Sequence, residues 1–465
     1  MRFACATQRY APRVWRDRAG FFDRETFRLI PVAQEARGVL MGLDTNTDFD
    51  SYAILPRDRR ILQQYIQRGY VRLCAENEPI SPFQRPRRVD APYLRELHWA
   101  VTGRCNLRCG HCFMCSPQGK YGQTSRADLL RVISMLEAAN VVCVSLTGGE
   151  PLLYPHLREL IERLSDKGIS VNEIVTNGVL LDAELLRFLR EHDQKPMFQI
   201  SLDGVGAHDQ VRGVEGAEQD ALRAIELCMD HGFFTAVTSV FSRENIHTLD
   251  ACYERMKKLR VSAWLIGRAQ TTGMWKGGPM GLDTAEMGRA LLKLQRRWLE
   301  DGRPIYILME KFFEAIPDVS MNASNVPSYT PDDLECAETR DRLFLLPDGR
   351  LLPCPGFAGT ALEAHMPRLN DADLLALRTE SALERFCAQT RRERYLANPE
   401  CQTCEWFAQC GMGCRAYALT ENGDIMRRDM GMCEMYRDGW RARFLAAQTE
   451  YGGHKHGEYR KREGV

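Results

Sequence analysis

The chain between residues 97 and 308 alternates short apolar runs with amphipathic segments, and this alternation constrains its fold more than any other feature. The apolar runs predict strands at 98–102, 141–146, 171–176, 197–202, 235–240, 263–266 and 305–308. Apolar residues at helical spacing predict helices at 157–164, 183–190, 219–229, 246–259 and 284–299, and one that begins after Ser125. Strands that alternate with helices pair in parallel through right-handed crossovers. We therefore expect an α/β fold in which about six units curve into a partial (β/α)6 TIM-like barrel.

Polar or glycine-rich segments follow the first four predicted strands. A cysteine-containing loop follows the first strand, and the next three strands end in Gly148-Gly149-Glu150, Thr176-Asn177-Gly178 and Ser201-Leu202-Asp203-Gly204. Functional groups of α/β barrels stand at the carboxyl ends of the strands. We therefore expect these four segments to meet at one mouth of the barrel.

The loop after the first strand carries three closely spaced cysteines. Cys105, Cys109 and Cys112 have the spacing C-x3-C-x2-C. Three such thiolates can hold three irons of a [4Fe–4S] cube, whereas an ordinary electron-transfer cluster is closed by four cysteines. The fourth iron of this cube would therefore stay open to a small molecule.

This cysteine run, followed by Gly148-Gly149-Glu150-Pro151, resembles the radical S-adenosylmethionine (SAM) enzymes. In that family the open iron chelates the amino and carboxylate groups of SAM. Electron transfer then cleaves SAM to a 5′-deoxyadenosyl radical, which abstracts hydrogen from the substrate. The resemblance implies that the backbone at Gly148 and Gly149 meets the SAM ammonium and that Glu150 helps by charge. The alternative is an ordinary strand-to-helix turn.

Four further residues are candidate SAM contacts. The resemblance places Asn177, Ser201 and Asp203 at the barrel mouth, where they suit hydrogen bonds to the ribose or the carboxylate of SAM. Turn chemistry is the alternative, since Asn-Gly and Asp-Gly favour turns. Arg212 lies in a stretch similar to one common in this subfamily, and its guanidinium suits the SAM carboxylate. A surface ion pair with Asp209 is the alternative for Arg212.

A second group of seven cysteines lies near the C-terminal end and resembles the SPASM domain, which holds auxiliary iron–sulfur clusters. The family pattern implies one [4Fe–4S] cluster on Cys401, Cys404, Cys410 and Cys433. It implies a second on Cys336, Cys354 and Cys414. No cysteine lies between residues 337 and 353, so we expect an open or unusual coordination site on this second cluster, with Cys387 as a candidate fourth ligand. The alternative for the whole group is a pair of zinc knuckles.

These motifs account for ten of the seventeen cysteines, and this cysteine usage indicates clusters rather than disulfides. We expect three [4Fe–4S] clusters in all, one of which binds SAM. The remaining cysteines are expected to be small buried apolar residues. They are Cys5, Cys74, Cys115, Cys143, Cys228, Cys252 and Cys387.

Four regions follow from these patterns. Residues 1–93 form an N-terminal region, 94–319 the barrel, 320–440 the auxiliary-cluster domain and 441–465 a basic tail. The N-terminal region shows predicted strands at 27–30 and 38–41 and a helix at 57–68. That order is compatible with a small winged-helix-like module that captures a leader peptide by strand addition. The alternative is a structural extension that packs on the barrel.

The composition excludes two classes of partner. The chain has 62 basic and 62 acidic residues, so no bulk field favours nucleic acid or an acidic membrane. It has neither a long apolar stretch nor a signal-peptide pattern at its beginning. We therefore expect a cytoplasmic protein without nucleic-acid or membrane partners.

The resemblance implies an enzyme that installs a crosslink, such as a thioether or a carbon–carbon bond, in a ribosomally made precursor peptide. It also implies a reductant such as flavodoxin or ferredoxin. The alternatives are a cofactor-precursor maturase and a sulfatase-type formylglycine maturase, which the resemblance disfavours because Pro355 stands where those relatives carry an acidic base. A non-catalytic electron carrier or scaffold would need no open iron. No residue is assigned as a catalytic acid or base.

Overall fold

The N-terminal region contains two small sheets. The computed structural model describes residues 1–275, 280–309, 312–315, 328–369, 373–379 and 381–451. The first elements are β1 (Phe3–Ala6), β2 (Tyr10–Val14), β3 (Ala19–Asp23), β4 (Arg28–Pro31), α1 (Arg37–Met41), α2 (Pro56–Gln67), β5 (Val71–Cys74) and β6 (Arg87–Arg88). Strands β1 and β5 pair antiparallel, and the other sheet has the order β4-β3-β2-β6. Both sheets and the two helices contribute to one apolar core.

The strand predicted at 38–41 is wrong, because this segment is helix α1. Val39 and Leu40 are buried in it, and the Gly42 N–H donates to the carbonyl of Gly38 at 3.0 Å. A short apolar run suits a buried strand and a buried helix equally, so its pattern did not discriminate. The strand predicted at 27–30 and the helix predicted at 57–68 are confirmed as β4 and α2.

The middle of the chain forms the predicted α/β barrel. Its strands are β7 (Glu96–Thr102), β8 (Cys143–Gly148), β9 (Ser170–Thr176), β10 (Met197–Ser201), β11 (Thr235–Phe241), β12 (Ala263–Arg268), β13 (Tyr306–Met309) and β14 (Phe313–Ala315). Its helices are α3 (Arg126–Ala138), α4 (Leu157–Asp166), α5 (Ala183–Glu191), α6 (His208–Arg212), α7 (Ala217–Asp230), α8 (Leu249–Leu259) and α9 (Thr284–Glu300). All seven predicted strands are confirmed within two residues. The cap at Ser125 is also confirmed, since its hydroxyl accepts from the Asp128 N–H at 3.1 Å.

The C-terminal region adds two strands and a series of short helices. They are α10 (Glu338–Asp341), β15 (Arg342–Leu345), β16 (Leu351–Leu352), α11 (Leu374–Leu377), α12 (Ala382–Cys387), α13 (Arg392–Leu396), α14 (Pro399–Gln402), α15 (Phe407–Cys410), α16 (Arg415–Asn422), α17 (Met430–Arg437) and α18 (Trp440–Tyr451). Part of the predicted basic tail is therefore helical, and Phe444 in α18 is buried. Residues 452–465 of that tail lie outside the described residues.

One ten-stranded sheet joins the barrel to the C-terminal region. Its order is β14-β13-β12-β11-β10-β9-β8-β7-β15-β16. Strands β7 to β13 follow one another in parallel, as the sequence predicted, and β15 adds to β7 in parallel. The sequence patterns did not reveal β15. The C-terminal region is thereby hydrogen-bonded directly to the strand that precedes the first cysteine loop.

The two faces of this sheet differ in burial. Outward residues such as Trp99, Phe198 and Trp264 are buried against the helices in the main core. Inward residues on the same strands, such as Gln199 and Leu265, keep partial access to solvent. The inner face therefore bounds an open lumen rather than a filled core.

No described helix combines the length and apolar character that a membrane crossing requires.

Replacing Gly288 with alanine tests the docking of α18 on α9. A Cβ there would lie 2.7 Å from the ring of buried Trp440, so the ring has to move. We expect the free energy of unfolding to fall by about 1 kcal/mol, measured by urea denaturation. Gly38→Ala in α1 is the matched control, since its Cβ would have no heavy atom within 4 Å and alanine favours helix. Equal stability of the two variants would contradict this packing.

Candidate active site

The cysteine loop follows β7 at the carboxyl end of the sheet, and N–H donors approach all three thiols. The Leu107 N–H donates to Sγ of Cys105, and the Ser116 N–H donates to Sγ of Cys112, each at 3.4 Å. Arg212 places Nη1 at 3.5 Å from Sγ of Cys109. Donors around sulfur stabilise negative charge, as the thiolate ligands of an iron–sulfur cluster require.

The two glycines after β8 pack against the base of this loop. A Cβ on Gly148 would lie 2.3 Å from the Thr102 carbonyl oxygen, and one on Gly149 would lie 2.3 Å from that of Arg104. Gly148 also has φ +147°, which other residues rarely adopt. The N–H of Gly149 donates to the Thr102 carbonyl at 2.7 Å. Both glycines are therefore required by the close approach of two chain segments.

Glu150 joins the ends of β8 and β9. Its carboxylate accepts from the Thr176 hydroxyl at 2.7 Å, from the Asn177 N–H at 2.8 Å and from the Leu152 N–H at 3.0 Å. The side chain is fully buried, and burial raises the pKa of Glu150 to about 7. The turn predicted as the alternative role of this segment is present, and the SAM contact stays a prediction.

Asn177 connects the third strand end to the cysteine loop. Its Nδ2 donates to Oδ1 of Asn106 at 2.8 Å and lies 3.8 Å from Sγ of Cys105. Its Oδ1 accepts from the Val179 N–H at 3.0 Å, which is the expected turn chemistry. Ser201, at the end of β10, remains partly accessible on the inner face. The sequence analysis missed Asn106, although this residue lies inside the cysteine motif.

Asp203 forms the buried anion of the site. Its Oδ2 lies 2.7 Å from Nε of Arg212 and 3.5 Å from Nε2 of His111. Its Oδ1 accepts from the Val240 N–H at 2.9 Å. Burial alone would raise the pKa of Asp203, but the Arg212 guanidinium and His111 hold it below its usual value. Asp203 therefore fixes the guanidinium that reaches Cys109.

The ion pair proposed between Arg212 and Asp209 is wrong. The carboxylate of Asp209 instead accepts from the backbone N–H groups of Gly216 and Glu218, each at 2.7 Å. It thereby holds the turn that leads into α7. The true partner, Asp203, lies on the preceding strand end, and no local spacing in the sequence indicated that contact.

Four of the C-terminal cysteines line one cavity. Cys401, Cys404, Cys410 and Cys433 surround a cavity of about 440 Å³ together with Arg428 and Arg437. Burial and the three neighbouring thiols raise the pKa of Cys410 to about 11. Both the volume and the sulfur lining fit an iron–sulfur cluster. In the described parts of the chain, no three metal-binding side chains converge tightly enough for a single ion.

The remaining three cysteines of the group are also neighbours. Burial raises the pKa of the Cys354 thiol to about 12, and the nearby thiols of Cys414 and Cys336 contribute to that rise. Cys387, the candidate fourth ligand, is fully buried and hydrogen-bonded to Thr339. The other cysteines expected to be buried are so, except Cys74, which is partly exposed.

Residues 99–256 match the family model described as the Radical SAM superfamily. The segment begins in β7 and includes the cysteine loop, Gly148-Gly149-Glu150 and Arg212. The segment is therefore similar to radical SAM domains, and the α/β fold predicted for it is confirmed.

Curated relatives extend this similarity. The chain is 25% identical over 259 residues to the antilisterial bacteriocin subtilosin biosynthesis protein AlbA of Bacillus subtilis, a match that covers 55% of this chain and 54% of AlbA. It is 26% identical over 371 residues to the AdoMet-dependent heme synthase of Nitratidesulfovibrio vulgaris, with coverage of 74% and 94%. The chain thus spans about half the length of AlbA and nearly all of the heme synthase.

A solved structure has the same fold over most of the chain. Streptococcus suis SuiB bound to its precursor peptide SuiA superposes with a TM-score of 0.66 at 14% identity. The match covers 93% of this chain and 100% of SuiB. At that identity the likeness establishes the fold alone.

Replacing Arg212 with methionine tests the buried ion pair. The change leaves the Asp203 carboxylate without its cation, so we expect the free energy of unfolding of the metal-free protein to fall by about 3 kcal/mol in urea. Adding Asp203→Asn removes the unpaired charge and should recover part of that loss.

Arg158→Met is the matched control for this prediction. Arg158 and Glu184 form an exposed ion pair at 2.9 Å, and its loss should cost less than about 1 kcal/mol. A cost for Arg212→Met as small as that of the control would refute the proposed role of the buried pair.

Proposed function

We propose that this chain, which matches the Radical SAM superfamily model over residues 99–256, is an enzyme that cleaves SAM reductively and modifies a ribosomally synthesised peptide. The product would be a crosslink such as a thioether or a carbon–carbon bond. The observation that carries the proposal is the convergence of four strand ends on the three-cysteine loop. An electron carrier has no need of this arrangement.

We propose that Cys105, Cys109 and Cys112 hold the SAM-binding [4Fe–4S] cluster. When bound, the cluster supplies the electron that cleaves SAM to the 5′-deoxyadenosyl radical. The neighbouring residues of the chain position the cysteine loop and stabilise negative charge on its sulfurs. The Arg212 guanidinium near Cys109 stabilises a thiolate there, and Asn177 holds Asn106 beside Cys105. These contacts fix the loop in place.

The SAM contacts belong to the same proposal. Gly148, Gly149 and Glu150 would face the ammonium, and Asn177, Ser201, Asp203 and Arg212 would serve the ribose or carboxylate. The hydrogen bonds already made by Glu150 and Asp203 favour indirect roles for these two. Glu150 orients the Asn177 backbone, and Asp203 orients Arg212. Ser201 and Arg212 retain accessible atoms with which to meet a ligand.

We propose two auxiliary clusters in the C-terminal region. Cys401, Cys404, Cys410 and Cys433 would hold one, and the cavity that they line supports this assignment. Cys336, Cys354 and Cys414 would hold the other, with a coordination site left open. Cys387 stays the candidate fourth ligand, since its hydrogen bond with Thr339 opposes the rise that burial gives to the pKa of its thiol. A small iron–sulfur or flavin protein, such as ferredoxin or flavodoxin, would supply electrons.

Two comparisons favour a peptide substrate. AlbA is named for the biosynthesis of a bacteriocin, and SuiB was solved with a precursor peptide. The SuiB likeness covers 93% of the chain, so it includes most of residues 1–93. We propose that this N-terminal region captures the leader part of the substrate, as its exposed edge strand β4 allows.

The second candidate function is modification of a cofactor precursor. The match to the AdoMet-dependent heme synthase covers 74% of this chain and favours this alternative. The heme synthase match covers a smaller share of the chain than the SuiB structure, which covers 93% of it. Removing residues 1–93 would discriminate the two only if the remainder folds. The better test uses the full chain and compares its binding of a short peptide encoded beside its gene, where one is present, with its binding of a porphyrin.

Formation of 5′-deoxyadenosine tests the enzymatic proposal. We expect the anaerobically reconstituted protein to form it from SAM and dithionite, and Cys109→Ala to abolish it because one iron ligand is lost. Chromatography with mass detection measures the product. Cys228→Ala is the matched control, since Cys228 is buried in α7 away from the site. Absence of product from the wild-type protein, with or without peptide, would refute the proposal.

Iron content tests the number of clusters. Three [4Fe–4S] clusters correspond to about twelve irons per chain. We expect the double variant Cys404→Ala and Cys433→Ala to lose about four of these, because two ligands of one auxiliary cluster are removed. Elemental analysis after reconstitution measures iron and zinc together. About four irons plus zinc in the wild-type protein would instead support the zinc-knuckle alternative.

A further inference from the structure

The lumen of the barrel is lined by the inward residues of consecutive strands. On β10, β11, β12 and β13, most inward side chains keep partial access to solvent, whereas the inward residues Ala236 and Ala263 are buried. These accessible residues are Met197, Gln199, Ser201, Thr238, Val240, Leu265, Tyr306 and Leu308. None of these side chains carries a charge, and half of them are apolar.

A different set of residues lines the lumen on β7, β8 and β9. His98, Ser145 and Glu173 lie side by side there in register. Met197 continues the row on β10. The Ser145 hydroxyl donates to Oε1 of Glu96, one step lower on β7, at 2.6 Å and lies 3.1 Å from Oδ1 of Asn172. The single proton of this hydroxyl is therefore directed at Glu96.

Glu96 and Glu173 differ in whether a basic side chain lies within ion-pair distance of the carboxyl group. Glu96 lies 3.0 Å from Nε of Arg342 and 3.2 Å from Nη2 of Arg95. Within the described ranges, Glu173 has no cation at ion-pair distance, although its side chain stays partly accessible in the lumen. His98 does not supply one, because burial lowers its pKa to about 4 and keeps the ring neutral. Glu173 is therefore the carboxyl group of the lumen that lacks a direct partner.

The surroundings of Glu173 suit a long side chain with a charged end. Val175 lies two residues further along β9 on the same face, and Met197 lies directly beside Glu173 on β10. Apolar walls around a carboxylate accommodate the methylene stem of a basic side chain while its charged head pairs with the acid. The four residues from Glu173 to Asn177 rise about 13 Å towards the cysteine loop. An extended lysine or arginine covers part of that rise, which leaves its backbone near the candidate active site.

We propose that Glu173 is a specificity-determining residue that binds a basic side chain of the peptide substrate inside the lumen. This inference rests on the proposed function, because it assigns the substrate to the lumen below the SAM site. It adds the chemical class of the residue that the enzyme selects and the group that selects it.

Binding of a cation at Glu173 is expected to depend on pH. Burial and the nearby Glu96 raise the pKa of Glu173 to about 7, while Arg342 and the nearby Ser145 hydroxyl oppose the rise. The other charged group facing this site is Arg95, and the thiol of buried Cys143 stays neutral. A bound cation favours the ionised form of Glu173. Near pH 7 only part of the protein carries a protonated Glu173, so binding should release on average less than one proton per molecule bound. Affinity should therefore rise from pH 6 to pH 8.

Isothermal titration of the reconstituted protein with capped amino acids tests this inference. The probes are N-acetyl-lysine methylamide, N-acetyl-arginine methylamide and N-acetyl-norleucine methylamide, which has an apolar stem without the charge. At pH 8 we expect the two basic probes to bind about tenfold more tightly than norleucine. At pH 7, titrations in buffers of different ionisation enthalpy should reveal proton release with the basic probes alone.

Two variants and a control complete the design. Glu173→Gln should remove both the preference for basic probes and the proton release, whereas Glu173→Asp should keep the preference for basic probes. Glu226→Gln, on the exposed face of α7, should behave as the wild-type protein. Thermal melting shows whether each variant is folded. Equal binding of lysine and norleucine by the wild-type protein, or an unchanged preference in folded Glu173→Gln, would overturn the inference.

These titrations use no reductant and require no turnover. Failure of the wild-type protein to form 5′-deoxyadenosine would therefore refute the proposed function without altering the binding result. Loss of the basic preference with normal SAM cleavage would refute only the role of Glu173.

Discussion

Parallel alignment of consecutive strands is the constraint on which the site depends. Because β7, β8, β9 and β10 run in one direction, their carboxyl ends deliver four unrelated segments to one edge of the sheet. Backbone hydrogen bonds then join those segments, as when the Gly149 and Glu150 N–H groups donate to the carbonyls of Thr102 and Arg104. The cysteine loop is therefore held by its neighbours on the sheet.

Buried charged side chains also hold the cysteine loop in place. Asp203 and Arg212 form an ion pair behind the cysteine loop, and the same guanidinium reaches Cys109. Glu150 gathers hydrogen bonds from the ends of β8 and β9. Buried polar groups of this kind are costly unless every partner is present, so they favour a single geometry of the loop. The lumen below the site contains the contrasting case of Glu173, which has no cation at ion-pair distance among the described residues.

The sequence predicted the barrel well, because each strand carries a strong apolar run and each helix a clear periodicity. The sequence did not predict elements with a short apolar run, or contacts between residues that only the fold brings together. The run at 38–41 suited strand and helix alike, and β15 has only four residues. The partner of Arg212 was missed because Asp203 becomes its neighbour only through the fold. The cysteine motifs were visible from spacing, but the carbonyls that demand Gly148 and Gly149 were not.

Electron paramagnetic resonance of the reduced protein tests the central claim most directly. The claim is that the three-cysteine loop holds a [4Fe–4S] cluster with one iron open to SAM. With the auxiliary cysteines replaced by alanine, the remaining cluster signal should change when SAM is added under anaerobic conditions. A signal that is unaltered by saturating SAM would show a cluster closed by the protein itself and would contradict the account.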